Sequence, residues 1–161
     1  MPADKVTNVI VAGLGGQGVL RAAETVAAVA FAAGLDVKKS EVHGMSQRGG
    51  SVMCDVRFGA EVWSPMVPPG EGDFLLVLAP DQVEVNRWRL RAGGTLIAPE
   101  AAAGVVLADK RSLNMALLGV FSRHLPFAAE AWTAAIRAQF SEKAAAANAA
   151  AFAAGRAAAH A

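Results

Sequence analysis

Six residues near the N-terminus have the composition and spacing of a phosphate-binding loop. The stretch GLGGQG, residues 13–18, matches the pattern G-x-G-x-x-G. Glycine lets the backbone turn tightly and come close to a ligand, and the free N–H groups at the start of a following helix attract an anion. The candidate residues for contact with a phosphate-bearing cofactor are Gly13, Gly15, Gly16, Gln17 and Gly18.

Two interpretations of this loop remain open. The glycines either bind an anion or only allow tight packing between a strand and a helix. A dinucleotide site also requires an acidic residue about 20 positions further on. Asp36 lies near that spacing but begins the next predicted strand, whereas Glu41 lies slightly late. Ordinary NAD binding is therefore only one version of the anion-binding hypothesis.

A second polar cluster lies in EVHGMSQRGGSV, residues 41–52. An arginine can pair with a phosphate or carboxylate through two parallel hydrogen bonds, and paired glycines let the chain reverse. The alternative is a polar surface loop whose glycines serve only a turn. The residues predicted to line an active-site or subunit interface are His43, Ser46, Gln47, Arg48, Gly49 and Gly50.

The elements around both clusters explain why they should lie together. A β-branched run over 6–12 predicts a strand, apolar residues at helical spacing follow from Val19, and 36–42 predicts a second strand. This order is a βαβ unit. Ligands bind beyond the carboxyl ends of the strands in such sheets, so both clusters are expected at one sheet edge.

The remaining patterns complete one α/β domain over residues 1–161. Alternation over 51–59 predicts an antiparallel or edge strand, 74–80 predicts a core strand, and Asp81 is a candidate N-cap for a helix that precedes a strand at 95–99. Helices are predicted from Ser112 onwards, ending in an Ala-rich tail over 144–161 that either packs on a partner or frays. The predicted fold is Rossmann-like, with a mixed, mainly parallel sheet, flanking helices and a helical C-terminal third.

Composition excludes several functions. A net charge of +1 argues against nucleic-acid binding, and no apolar run long enough for a membrane span or signal peptide is present. A single cysteine, Cys54, cannot hold a metal or iron–sulfur cluster alone, and its alternating position predicts a core residue. Trp88 and Trp132 are predicted to serve packing rather than to form platforms for a ligand. No nucleophile motif is present, so a cytoplasmic subunit of a larger assembly is expected.

Several segments together resemble a known family. GLGGQGV, SEVHGMSQRGGSV, VRFG, SPMVPPGEGD, LLGVFSRHLP and SEKAAAANAAAFAAGR occur in an order that resembles the gamma-type domain of the 2-oxoacid:acceptor oxidoreductases, as found in the beta subunit of indolepyruvate:ferredoxin oxidoreductase. The likeness covers nearly the whole chain. The segment between GGTLIAP and LADKRSLNMALLG is shorter than usual in that family, which predicts a trimmed sheet or subunit contact.

The resemblance implies oxidative decarboxylation of a 2-oxoacid with coenzyme A, giving an acyl-CoA, carbon dioxide and two electrons. Thiamine diphosphate and iron–sulfur clusters are then expected on large partner subunits, and coenzyme A is expected beside this chain as co-substrate. The implied substrate is an aryl 2-oxoacid, either indolepyruvate-like or phenylglyoxylate-like, and the acceptor is ferredoxin or another carrier such as NAD. The competing hypothesis is a stand-alone Rossmann-like nucleotide-binding module with no catalytic partner.

Overall fold

A five-stranded mixed sheet lies at the centre of the computed structural model, which describes residues 5–46 and 49–158. Apolar residues dominate the three interior strands, which are mostly buried, whereas the two edge strands are more polar and largely half-buried or exposed. The strands are β1 (Thr7–Leu14), β2 (Asp36–His43), β3 (Ser51–Gly59), β4 (Gly72–Val77) and β5 (Leu90–Ile97). They lie in the order β2-β3-β1-β4-β5.

The strand directions confirm the predicted mixed sheet. The central strand β1 pairs in parallel with β4, and β4 pairs in parallel with β5. Strand β3 is antiparallel to both of its neighbours, β1 and β2, so four of the five strands share one direction. The β2–β3 hairpin therefore inserts β3 between the two strands of the predicted βαβ unit. The segment 51–59 is antiparallel, as predicted, but it is interior rather than an edge.

The helices pack mainly on one face of this sheet. They are α1 (Val19–Ala32), α2 (Val83–Asn86), α3 (Leu113–Ser122), α4 (Ala129–Gln139) and α5 (Glu142–Ala158). Val9, Val11 and Cys54 of the sheet share the large core with α1, α3, α4 and α5. On the opposite face, Ile10 and Leu75 belong to a smaller cluster that includes Val67 of the 60–71 loop and Val83 of α2.

The segment after β4 differs from the prediction. Two short 3₁₀ turns, Pro80–Gln82 and Arg87–Arg89, flank the four-residue α2, and β5 already begins at Leu90. Asp81 is not the N-cap, because Ala79 occupies that position before Pro80. The strand continues through the two glycines because Gly93 takes a left-handed backbone with φ 72°, producing a register shift against β4.

The Ala-rich C-terminal segment packs on its own chain. Helix α5 buries Ala145, Ala151, Phe152 and Gly155, and its main contact is with α3. Small side chains let the two backbones approach closely, so residues 144–158 form a regular part of the fold. Residues 159–161 of the predicted tail lie outside the described residues.

Candidate functional site

The glycine loop closes on itself at the carboxyl end of β1. The Leu14 N–H donates to Gln17 Oε1 at 2.8 Å, and the Gln17 N–H donates to the Leu14 carbonyl at 3.1 Å. Gly16 and Gly18 have φ of 88° and 84°, a region that favours glycine. A Cβ on Gly16 would have no atom within 4 Å, so this turn of backbone faces open space.

Three helix N-termini converge beside this loop. Helix α1 follows Gly18 and has no side-chain cap. Helix α3 follows Ser112, whose side chain makes no capping hydrogen bond, and in its first turn Asn114 Oδ1 accepts a hydrogen bond from the Met115 N–H at 2.9 Å. Residues from both ends, and from the start of α5, line one cavity of about 480 Å³. Uncapped N–H groups and aligned helix dipoles favour an anion at this position. The lining residues are Gly16, Gln17, Gly18, Arg21, Asp109, Arg111, Ser112, Asn114, Phe140, Ser141, Lys143, Ala144, Ala147 and Asn148.

The charged side chains of this cavity are mostly cationic. Arg21 is anchored, because its Nη1 donates to the Gln139 carbonyl at 3.3 Å and its guanidinium lies 5.5 Å from the centre of the Phe140 ring. Lys143 makes no ion pair with the described residues. Three cations and one carboxylate line the cavity, so its electrostatic potential attracts phosphate or carboxylate groups.

A second cavity of about 250 Å³ adjoins the first. It shares Gly16, Gln17, Arg111 and Asn114 with the larger cavity and adds the apolar side chains of Leu78 and Leu113. Asn114 forms part of the wall between them and donates from Nδ2 to the Gly18 carbonyl at 3.3 Å. A ligand with an anionic part and a less polar part would match the two chambers.

The second predicted cluster meets the glycine loop at the same sheet edge. The Gly15 N–H donates to the Gly50 carbonyl at 2.9 Å, and the Gly44 N–H donates to the Ser51 carbonyl at 2.7 Å. His43 ends β2 with an exposed side chain, and its Nε2 lies 3.6 Å from Glu41 Oε2. Gln47 and Arg48 lie outside the described residues.

The structure therefore joins the two predicted clusters without placing them in one cavity. Gly16, Gln17 and Gly18 line the larger cavity, whereas His43, Ser46, Gly49 and Gly50 do not. The Gln17 carboxamide oxygen accepts a hydrogen bond from the Leu14 N–H, so this atom stabilises the loop. The interface role of residues 43–50 stays a prediction.

Sequence reasoning missed the side chains that give the cavity its charge. Arg21, Arg111 and Lys143 lie outside the glycine motif and come from the starts of three different helices. The available signals were weak: basic residues in DKRSLN and SEK stand directly before or at the start of predicted helices. Their convergence depends on how α3 and α5 pack against α1.

Burial confirms the predicted core position of Cys54 and distinguishes the two tryptophans that were predicted to serve packing. Cys54 is fully buried, and burial raises the pKa of its thiol to about 12. Trp132 is buried in an aromatic cluster, whereas the Trp88 side chain is 62% exposed. Within residues 5–46 and 49–158, no three His, Cys, Asp or Glu side chains come together as a metal site requires.

Every helix of the described residues is too short or too polar to traverse a lipid bilayer.

Comparison with known proteins identifies related sequences over most of the chain. The family model described as pyruvate ferredoxin/flavodoxin oxidoreductase matches residues 8–105 and 97–158. The chain is 47% identical over 92 residues to indolepyruvate oxidoreductase subunit IorB of Thermococcus kodakarensis and, equally, of Pyrococcus horikoshii. Each match covers 56% of this chain and 45% of the relative, so the matched region spans less than half the length of these curated relatives.

Solved structures share the fold at lower sequence identity. The 2-oxoglutarate:ferredoxin oxidoreductase from Magnetococcus marinus, solved with 2-oxoglutarate, coenzyme A and succinyl-CoA bound, superposes with a TM-score of 0.79 at 23% identity. That match covers 97% of this chain and 31% of the other. The gamma subunit of a keto/oxoacid ferredoxin oxidoreductase from Geobacter sulfurreducens superposes with a TM-score of 0.77 at 22% identity. That match covers 95% of this chain and 98% of the other.

Proposed function

Because the chain belongs to the pyruvate ferredoxin/flavodoxin oxidoreductase family, we propose that it is a non-thiamine-binding subunit of a 2-oxoacid oxidoreductase. The assembly would convert a 2-oxoacid and coenzyme A into an acyl-CoA and carbon dioxide and pass two electrons to an acceptor. The observation that carries this proposal is the 47% identity over 92 residues to indolepyruvate oxidoreductase subunits. The same likeness favours an indolepyruvate-like aryl 2-oxoacid over a phenylglyoxylate-like one. The description of the family supports ferredoxin as the acceptor, with another carrier such as NAD as the alternative.

The proposed contribution of this chain is to bind coenzyme A and to close the active site. Thiamine diphosphate would supply the carbanion chemistry, and iron–sulfur clusters would carry electrons, both outside these residues. The single cysteine supports that division, because Cys54 is buried in the core with its pKa raised by burial to about 12, and a cluster requires several thiolate ligands. A stand-alone module would need none of these partners.

Coenzyme A is the proposed ligand of the larger cavity. Its pyrophosphate would accept hydrogen bonds from the backbone N–H groups around Gly16 and Gly18, as at other glycine loops that begin a helix. The open space around Gly16 and the cations Arg21 and Lys143 support an anionic ligand there. A Cβ on Gly18 would collide with Asn114, so glycine is required to keep this wall of the cavity in place.

Residues 43–50 are proposed to contact the catalytic partner. The 43–50 segment is hydrogen-bonded to the glycine loop through Gly15 and Gly50. A partner that contacts this segment would therefore also affect the position of the glycine loop. Met45 is a fully exposed apolar side chain beside this contact. His43, Ser46, Gln47, Arg48, Gly49 and Gly50 would then form the active-site seam, without His43 acting as a base.

The first experiment purifies the assembly that contains this chain from its native host and measures its partners, thiamine and iron content. We expect a large thiamine- and iron–sulfur-containing chain to copurify. A monomer of the chain's own mass that binds NAD tightly would favour the stand-alone module instead.

The second measurement is the Michaelis constant for coenzyme A in the assembled complex. We expect Gly16→Val and Arg48→Ala to raise it about tenfold or more, the effect of one lost charge-assisted contact. Gly70→Val is the matched control, because Gly70 also has positive φ and open surroundings but lies outside both cavities. Normal constants and normal assembly in both test variants would rule out the proposed site.

A further inference from the structure

An exposed ion pair lies on the wall that the two cavities share. The Arg111 guanidinium contacts the Asp109 carboxylate through Nη2–Oδ2 at 2.8 Å and Nε–Oδ2 at 3.0 Å. Its side chain is 91% exposed, and this hydrogen-bonded pair lowers the pKa of the Asp109 carboxyl group below its ordinary value. Arg111 is the only charged side chain that lines both cavities among the described residues.

The other cations of the larger cavity are arranged differently. Arg21 is held from a distant element, by the Gln139 carbonyl and the Phe140 ring. Arg111 is held by a carboxylate two positions away in the same turn. An exposed local pair of this kind is weak, so a stronger anion can draw the guanidinium away at small cost.

A phosphomonoester is such an anion. Its second ionisation lies near pH 6, so at pH 7.5 it carries close to two negative charges and three acceptor oxygens. The pyrophosphate of a nucleotide belongs at the uncapped helix N-terminus of a glycine loop. A separate phosphomonoester can be bound by an arginine side chain, as an arginine binds the 2′-phosphate of NADP in related folds.

Resting on the function proposed above, we propose that Asp109 keeps the Arg111 guanidinium paired at the cavity wall until the 3′-phosphomonoester of coenzyme A displaces the carboxylate. Asp109 is then a positioning residue: a ligand binds Arg111 only if its anionic group carries enough charge to displace the Asp109 carboxylate. A ligand without a terminal dianion competes poorly with Asp109 and gains nothing from Arg111. The site thereby selects coenzyme A over its dephosphorylated form.

The experiment titrates the purified assembly with coenzyme A and with dephospho-coenzyme A, which differ only in the 3′-phosphate, by calorimetry at pH 7.5. The test variants are Asp109→Asn and Arg111→Gln, alone and combined, with Asp109→Glu as the conservative variant. Asn can still accept the hydrogen bond that Asp109 Oδ1 receives from the Arg111 N–H at 2.9 Å, so the turn is preserved.

We expect Arg111→Gln to weaken coenzyme A binding about tenfold and to leave dephospho-coenzyme A unchanged. Asp109→Asn should tighten coenzyme A binding about threefold, because the competing carboxylate charge is gone. Asp109→Glu should restore the wild-type constant. In the Arg111→Gln background, Asp109→Asn should have no further effect, because Asp109 acts through Arg111.

The matched control is the exposed ion pair Glu84–Arg87, in which Arg87 Nε lies 2.9 Å from Glu84 Oε1. Neither residue lines either cavity. Glu84→Gln and Arg87→Gln should change neither constant. The inference would be overturned if Arg111→Gln weakened the binding of both ligands equally. It would also be overturned if Asp109→Asn still tightened coenzyme A binding in the Arg111→Gln background. If the wild-type assembly binds neither ligand, the proposed coenzyme A site itself is wrong.

Discussion

Asp73 is a nearly buried carboxylate at the start of β4, and its surroundings keep it ionised. Burial opposes ionisation, but hydrogen bonds from the Asn8 N–H at 2.9 Å and from Arg91 Nε at 2.8 Å, with Lys5 at 3.3 Å, outweigh it. The pKa of Asp73 is therefore lowered in the folded protein. The group stabilises the fold above its unfolded pKa, and this stabilisation is lost as the pH falls through the lower, folded pKa.

Asp73→Asn should lower the free energy of unfolding at pH 7 by about 1–3 kcal/mol, because charge-assisted hydrogen bonds are lost. The difference between variant and wild type should shrink below about pH 4, where the carboxyl group of the unfolded chain is protonated. Urea unfolding at several pH values measures this. Asp81→Asn, at an exposed position, is the control and should show little effect at any pH. A pH-independent loss in Asp73→Asn would contradict the assignment.

Single residues were predictable where their type limits their role. The position of Cys54 in an alternating strand is sufficient to predict burial, because one side chain of each pair must face the core. Gln17 was not predictable in the same way. Its carboxamide can bind a ligand or the loop, and only the folded backbone shows that Oε1 accepts from Leu14.

Helices α3 and α5 show how two glycines determine a helix contact. A Cβ on Gly119 would collide with the Phe152 carbonyl, and one on Gly155 would collide with the Ala116 carbonyl. The two backbones therefore touch directly at these positions. The alanines of α5 add little hydrophobic driving force, so close packing stabilises this helix more than large side chains do.

Gly155→Ala should destabilise the protein by about 1–3 kcal/mol through overpacking, although alanine is the better helix former. Thermal and urea unfolding of the variant measure the change. Gly104→Ala is the matched control, because Gly104 has open space around it and no positive φ. If Gly155→Ala proves as stable as the control, the α3–α5 contact is looser than described.

The helices and strands differ in how well the local sequence predicts them. Strands β1 and β4 were predictable because their apolar runs suit a strand buried on both faces. The region 80–97 was not, since RLRAGG resembles a helix end yet begins β5. Pairing of Leu90 and of residues 95–97 with β4 decides that outcome, because it gives their backbone groups hydrogen-bond partners.

At the scale of the whole molecule, the sheet has two unlike faces. The helices cover one, and the other carries a buried ion pair: Arg89 Nη2 lies 2.8 Å from Asp55 Oδ2. The Val67 N–H donates to the same carboxylate at 2.9 Å, and Arg89 donates to the Val67 carbonyl at 3.2 Å. This network binds the 60–71 loop and the start of β5 to the interior strand β3.

Arg89→Met should destabilise the protein by about 3–5 kcal/mol, because it leaves the buried Asp55 charge without its partner. Combining it with Asp55→Asn should cost less than the sum of the two single changes. Arg87→Met, which removes an exposed pair with Glu84, should change stability by less than about 0.5 kcal/mol. Equal losses in Arg89→Met and Arg87→Met by urea unfolding would show that the buried pair is not essential.

The sequence by itself determined the α/β class, the glycine loop after the first strand and the meeting of the two motifs at one sheet edge. These follow from local patterns: side-chain periodicity, glycine at left-handed positions, and the rule that strand ends share an edge. Only the tertiary structure decided that Arg21, Arg111 and Lys143 line one cavity, and that α5 packs on α3. Both depend on contacts between residues far apart in the sequence, such as the hydrogen bond between Arg21 and Gln139, which lie 118 positions apart. No local pattern specifies which helix ends converge.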